Sequence, residues 1–242
     1  MKLTLENPTI FSKSIDLISE LVMEVRIKVN EFGLSIVAID PANVAMVALR
    51  IPKSAFKEFE VEEEVLGVNL ENFKKVLKRC GKTGSLTLER NENNLEIKIE
   101  DKIKRSFKLN LIEIEAEDKD FPTHLEFSSK VEIDSQDLID SIEDSAIVSD
   151  ACSFIIENDN FIVEAKETNA ARSEFSGDLV SIEAENCHSR YSLEYLQKFM
   201  KAGKQFPKTI LNFANDHPLR IDFKSEHLTI SFLLAPRIET ED

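Results

Sequence analysis

Apolar residues recur at helical spacing in four stretches of this chain, and at the two-residue spacing of strands through most of the rest. Lys2 to Glu6 alternates as a short strand, and Asn7 with Pro8 caps and opens a helix over Thr9 to Val22. There Phe11, Ile15, Ile18 and Val22 share a face with Ile10 and Leu21, while Ser12, Lys13, Asp16, Ser19 and Glu20 lie opposite. VRIKV, a turn at Asn30 to Gly33, and LSIVAID predict a strand pair, and VALRI predicts another strand. Ser54 to Glu60 reads as loop with a helical turn. Leu70 to Lys82, LENFKKVLKRCGK, predicts a second helix with Leu70, Phe73, Val76, Leu77 and Cys80 on one side. SLTLER and LEIKIE, joined by Asn91 to Asn94, form a hairpin, and RSFKLNLI is a further strand.

The second half replays the first. Glu113 to His124 is acidic, ends near a proline and has no periodicity, so it reads as a linker. Ser135 to Val148 is a helix with Leu138, Ile139, Ile142 and Ala146 inward, and FIIENDNFIVEAKE is a strand pair turning at Asp159. Ser192 to Lys204 is a fourth helix, apolar at Leu193, Leu196, Phe199 and Met200, before the strands TILNF, LRIDF and LTISFLLAP. The second and fourth helices each end in glycine, Gly81 and Gly203, where a helix stops. Helix, strands, helix, strands thus occurs twice. The fold class is a duplicated α+β domain, with helices on one face of a largely antiparallel sheet. The expected bounds are 1–112, a connecting loop at 113–127, and 128–242, with a mobile acidic tail at Glu239 to Asp242.

Charge changes the picture for two of the helices. The chain carries a formal −15, from 45 Asp and Glu against 30 Lys and Arg. Yet the second helix sets Lys74, Lys75, Lys78, Arg79 and Lys82 against the single acid Glu71, all five opposite the apolar face. A charged helix face is usually only solvated. The fourth helix repeats it, however, with Lys198, Lys201 and Lys204 on its polar side. The acid excess argues against general adhesion to nucleic acid or anionic membrane, so any DNA-facing surface is local. The first helix offers only Lys13, and the third carries Asp137, Asp140, Glu143 and Asp144.

The remaining chemistry is mostly exclusion. No apolar run approaches about 18 residues and the N-terminus lacks a signal-peptide core, so neither a membrane span nor secretion is expected. Cys80, Cys152 and Cys187 are widely spaced, without CxxC, and read as packed, reduced, intracellular thiols. No GxGxxG, Walker loop or GxSxG elbow appears. His124, His188, His217 and His227 are scattered, and Cys187-His188 lacks neighbouring ligands, so no metal, cofactor or catalytic residue is expected. Asp16, Asp40 and Glu60 could join other acids in a metal-dependent nuclease, the distant alternative.

Three segments together resemble the DNA sliding clamps of the archaeal and eukaryotic type, the proliferating cell nuclear antigen family. They are Gly33-Leu34-Ser35-Ile36-Val37-Ala38-Ile39-Asp40 running into Asn43-Val44, then Gly67-Val68-Asn69-Leu70, then Leu234-Ala235-Pro236-Arg237-Ile238-Glu239. The resemblance covers the whole chain and implies a non-enzymatic processivity factor for DNA replication and repair. It implies a trimeric ring, helices lining the hole and sheets forming the wall. Lys13, Lys74, Lys75, Lys78, Arg79, Lys82, Lys198, Lys201 and Lys204 would then face duplex DNA. The acidic third helix departs from the family's evenly basic lining, so contact is expected mainly through the second and fourth helices.

The resemblance also implies a partner-peptide pocket from Ile39, Met46, Phe121, Pro122, Pro218, Leu233, Ala235 and Pro236. Its partners would be DNA polymerase, clamp loader, flap endonuclease and DNA ligase. Ring closure would pair a strand at about 104–111, using Arg105, Phe107, Leu109 and Leu111, with one at about 172–180, using Arg172, Glu174, Phe175 and Leu179. The implied location is the cytoplasm, at the archaeal nucleoid, or the nucleus of a eukaryote. The alternative within the family is a paralogue acting only in a mixed or checkpoint-type ring.

Overall fold

The computed structural model describes residues 1–81, 83–115, 120–122 and 124–238. Its first half runs β1 (Lys2–Glu6), α1 (Thr9–Ile18), β2 (Glu24–Asn30), β3 (Gly33–Ile39), β4 (Ala45–Pro52), β5 (Glu58–Glu60), β6 (Glu64–Asn69), α2 (Leu70–Leu77), β7 (Ser85–Asn91), β8 (Asn94–Glu100) and β9 (Lys104–Asn110). The second half runs β10 (Ser129–Asp134), α3 (Ser135–Ala146), β11 (Ala151–Glu157), β12 (Asn160–Lys166), β13 (Ala170–Phe175), β14 (Ser181–Ala184), β15 (Cys187–Ser192), α4 (Leu193–Gly203), β16 (Lys208–Phe213), β17 (Leu219–Lys224) and β18 (Thr229–Leu234). A short 3₁₀ turn at Lys53–Ala55 lies between β4 and β5. The two halves have the same order of elements.

Two compact units follow from this. One holds Met1–Asn43, Val47–Phe121 and Ser225–Ile230, and the other Val44–Met46, Pro122–Lys224 and Ser231–Asp242. In the first unit the strand orders are β5-β1-β7-β8-β9 and β4-β3-β2-β6. In the second they are β14-β10-β16-β17-β18 and β13-β12-β11-β15, the same two orders. Hairpins β2–β3, β7–β8, β8–β9, β11–β12, β12–β13 and β16–β17 are antiparallel, as the alternating pattern requires. Asn158 and Asp159 both take positive φ, which lets two residues turn β11 into β12.

Each unit packs its two helices together. Phe11 of α1 meets Phe73 of α2 edge-on, ring centroids 6.1 Å apart. In the second unit α3 and α4 approach at Gly203, where a Cβ would lie 3.3 Å from both Ile139 Cδ1 and Phe223 Cε1. Phe199 of α4 stacks on Phe232 of β18 at 4.3 Å. Stacked rings of this kind add to the large apolar area they already bury.

Helix ends differ from the sequence expectation. Pro8 stands at the start of α1 without a side-chain cap, and Asn7 takes φ 54°. The helix stops at Ile18 and Ile10 is exposed, while Ser14 and Leu17 are buried. Ser14 is tolerated there because its Oγ donates to the Ile10 carbonyl at 2.9 Å. Helix α2 stops at Leu77. Lys78 bonds back to Lys74 O, but Arg79 and Cys80 bond to Val76 O and Leu77 O, so the last turn tightens. Gly203 is the last helical residue of α4 and not the residue after it. Strands β5, β6, β10, β14 and β15 stand where the sequence offered loop or no assignment. No helix among the described residues is long and apolar enough to cross a membrane.

Candidate nucleic-acid interface and docking surfaces

Helix α2 forms because Asn69 accepts from Asn72 N at 3.1 Å, capping the first turn, and because Leu70, Phe73, Val76 and Leu77 fall inward. That burial fixes which way the polar side points. Lys75 is exposed and Lys74 half-buried on the helix, with Lys78 and Arg79 exposed in the turn that follows. Lys82 lies outside the described residues. Helix α4 repeats the arrangement, with Leu193, Leu196, Phe199 and Met200 buried and Lys198, Lys201 and Lys204 on the outer side. Lys13 is exposed on α1. Among the described residues the predicted cations therefore fall in two sets, one per unit.

The lysines are not bare charges. Lys75 pairs with Glu71 at 2.6 Å and Lys198 with Glu194 at 2.7 Å, each one turn along its own helix. Those lysine hydrogen bonds hold both glutamates below their ordinary range. Exposed pairs of this type are weak and salt-screened, so a phosphate can replace the carboxylate. A second kind of pair crosses between helices. Asp16 Oδ1 on α1 stands 3.0 Å from Lys78 Nζ and 3.4 Å from Lys74 Nζ. Glu143 on α3 stands 3.9 Å from Lys204 Nζ. Partial burial pushes the Asp16 carboxyl up, but hydrogen bonds from Lys78 and Lys74 outweigh it and leave it below its usual value. Spacing along a single helix does not reveal these pairs, because each joins two helices that meet only in the fold. Asp137, Asp140, Glu143 and Asp144 are all exposed on α3, as the spacing predicts.

Among the described residues strands β9 and β13 each end a sheet, with β8 and β12 as their single strand neighbours. Phe107 and Leu109 lie half-buried on one face of β9. Arg105 shares that face but turns to its own chain, donating Nη1 to the Arg79 carbonyl at 2.9 Å and Nη2 to Asp101. Leu111 lies past the end of β9, its N–H donating to Asn93 O at 2.8 Å. On β13, Arg172 pairs with Glu164 at 2.8 Å and Glu174 at 3.4 Å, and Phe175 stacks on Phe161 at 5.9 Å. The strand expected at about 172–180 is shorter: β13 ends at Phe175, and Leu179 sits exposed in the turn beyond it.

The residues assigned to a peptide pocket divide between the units. Ile39 and Phe121 belong to the first, and Met46, Pro122, Pro218, Leu233, Ala235 and Pro236 to the second. Phe121 is 6% exposed, and the other seven are half-buried. Ala235 N–H donates to the Val44 carbonyl at 2.9 Å, which anchors the chain as it leaves β18.

The groups considered for catalysis have other uses. Asp40 is buried and accepts from Ala42 N at 3.2 Å, and Glu60 lies opposite Lys2 in the β1–β5 pair. His188 Nε2 meets Ser153 Oγ at 3.0 Å. Among the described residues no three His, Cys, Asp or Glu side chains form a group that could hold a metal ion. All three cysteines are free thiols. Burial pushes Cys80 up to about 11 and Cys152 up to about 12, and raises Cys187 as well.

Comparison with known proteins agrees with this geometry. The N-terminal domain model of proliferating cell nuclear antigen matches residues 1–120. The DNA polymerase sliding clamp of Thermococcus onnurineus is 36% identical over 237 residues, covering 95% of each chain. That of Methanothermobacter thermautotrophicus is 36% identical over 246 residues, covering 100% of this chain and 99% of its own. A chain from the PCNA2–PCNA3 complex of Sulfolobus tokodaii superposes with TM-score 0.90 at 27% identity, covering 99% of this chain and 100% of that one. Proliferating cell nuclear antigen from Entamoeba histolytica gives TM-score 0.90 at 21% identity over 98% of both chains, a likeness of fold.

Proposed function

The chain belongs to the proliferating cell nuclear antigen family, and we infer that it is a DNA polymerase sliding clamp, a processivity factor with no catalytic step of its own. One observation carries the mechanism. The same unit occurs twice, and each copy turns the lysine face of its second helix outward from the core, on a chain that is otherwise strongly acidic. In a ring those faces would line the hole, and only the lining would attract DNA. Contacts from lysine to phosphate carry no sequence information and impose no register, so the ring can slide. Enclosure, and not affinity, keeps it on the duplex.

Ring closure by β9 of one subunit on β13 of the next is supported by both strands ending their sheets. Pairing would cover two open edges and bury Phe107 and Leu109. It is a head-to-tail contact, which closes only when the rotation fits. The chain has no nucleotide loop, so opening the ring falls to an ATP-driven loader. Polymerase, flap endonuclease and ligase would dock short aromatic-bearing peptides near Ile39, Met46, Phe121, Pro122, Pro218, Leu233, Ala235 and Pro236. The connecting stretch at 113–127, expected beside them, lies partly outside the described residues. Its working site is the replication machinery, which in an archaeal cell is the cytoplasmic nucleoid.

The test is polymerase extension of primed circular DNA with the clamp and its loader. Replacing Lys75, Lys78 and Lys201 together by alanine is expected to shorten the products strongly. Undiminished stimulation would refute the assignment of α2 and α4 to DNA.

A second reading is a subunit of a mixed ring, favoured by the likeness to a chain of the PCNA2–PCNA3 complex. Light scattering behind a sizing column separates the two. A mass near three times the 27.5 kDa of one chain supports a homotrimer, and a monomer or dimer over a wide concentration range supports mixing.

A further inference from the structure

In each unit the first helix carries an acid that reaches across to lysines of the second. Asp16 meets Lys78 at 3.0 Å and Lys74 at 3.4 Å, and Glu143 meets Lys204 at 3.9 Å. We propose that Asp16 is an internal stand-in for a DNA phosphate, which holds Lys74 and Lys78 in the unloaded clamp, yields them to the duplex, and so limits how tightly the lining grips. The proposal rests on the reading that the polar side of α2 meets DNA.

The geometry suits that role. One carboxylate oxygen lies within ion-pair distance of two ammonium groups, as a backbone phosphate would. The pair is open enough to exchange, since the Asp16 side chain is 40% exposed and that of Lys78 56%. It is tertiary, unlike the pairs Lys75–Glu71 and Lys198–Glu194, which any helix surface can form. Lys78 is the residue that closes α2, and its long, largely exposed side chain can exchange Asp16 for an incoming phosphate. Each lysine that neutralises a phosphate releases counter-ions and steepens the dependence of binding on salt. When both lysines leave Asp16 for phosphates, the abandoned carboxylate takes up a cation, so the net release is smaller by about one ion. The duplex is then held loosely enough to be passed along. Glu143 with Lys204 is the longer, weaker copy in the second unit.

The test uses the full chain and a fluorescein-labelled blunt duplex of about 30 base pairs, followed by anisotropy over a salt series. Asp16→Asn keeps the shape and removes the charge. Binding at low salt is expected to tighten several-fold, with the slope of log K against log salt steeper by about 1. Combined with Lys74→Ala and Lys78→Ala, the same change is expected to lose most of its effect. If the gain persists undiminished without those lysines, Asp16 acts only as a bare negative charge and the proposal fails. If Asp16→Asn changes nothing while Lys75→Ala, Lys78→Ala and Lys201→Ala together weaken binding, the stand-in role is wrong but the DNA face stands. If neither set matters, both readings fall. Glu143→Gln is the second variant: a smaller steepening supports the device, and none overturns it for α3 and α4.

Discussion

Arg105, on the last strand of the five-stranded sheet in the first unit, donates from Nη1 to the carbonyl of Arg79 at 2.9 Å. Arg79 closes the turn after α2, where carbonyls have no partner within the helix. The other amino group of Arg105 meets Asp101, so one guanidinium joins the strand edge, the β8–β9 turn and the end of the basic helix. Arg105→Ala is expected to cost roughly 1–2 kcal/mol, read as a drop of several degrees in thermal midpoint. Arg105→Lys is not expected to restore it, because a single ammonium cannot span both acceptors in a planar fork. An unchanged midpoint in the alanine variant would show that the turn holds without Arg105.

Gly67 of β6 admits no side chain. A Cβ there would lie 2.0 Å from the Ile112 carbonyl oxygen, and Ile112 N–H donates to Gly67 O at 3.0 Å. The obstacle is backbone and cannot rotate away. Gly67→Ala is expected to destabilise the first unit by more than about 2 kcal/mol, although alanine is otherwise the better residue. Denaturant melts would check this, and a stability equal to the parent's would mean that the chain after β9 moves freely.

Phe199 and Lys201 separate holding from contact on one helix. Phe199 is fully buried and stacked on Phe232 at 4.3 Å, so Phe199→Ala should cost about 3–5 kcal/mol. Lys201 is exposed, and Lys201→Ala should leave the melting curve unchanged while weakening duplex binding. Equal losses of stability in both variants would contradict this division.

The cysteines give a pH prediction. Burial raises Cys80 to about 11, so the folded chain keeps that proton more tightly than the unfolded chain does. Its contribution to stability is therefore full below the ordinary thiol range and is lost as pH rises toward 11. At pH 8 iodoacetamide should label the native protein slowly, and label all three thiols once it is denatured. Rapid labelling of Cys80 in the native state would show it to be more open than its packing implies.

How far the chain could be read from sequence follows from where each signal lies. β2–β3, β7–β8, β11–β12 and β16–β18 alternate apolar and polar residues between turn residues such as Asn30, Asn91 and Asp159, and were legible. The four helices were legible because their apolar stripes bury, as Phe73 and Phe199 do. β5 has three residues and β15 reads CHSRYS, too short or too polar to signal a strand; both are held by pairing with β1 and β11. Helix ends misread because Arg79 and Cys80 close α2 by tighter backbone bonds, which no side-chain pattern marks. Leu179 was assigned to a strand that ends at Phe175, since SGDL carries the chain into a turn. The pair Lys75–Glu71 can be read from spacing on one helix, whereas Asp16 with Lys78 exists only once α1 and α2 are packed.

The central claim is that this chain holds DNA by enclosing it, and retention on DNA of different topology tests that most directly. The protein would be loaded onto nicked circular DNA, freed of loader, and its dissociation followed before and after a single restriction cut. The account predicts long residence on the circle and rapid loss from the linear ends, with little dependence on salt before the cut. Equal lifetimes on circular and linear DNA would contradict it, and would mean that the lysines of α2 and α4 bind DNA by affinity alone.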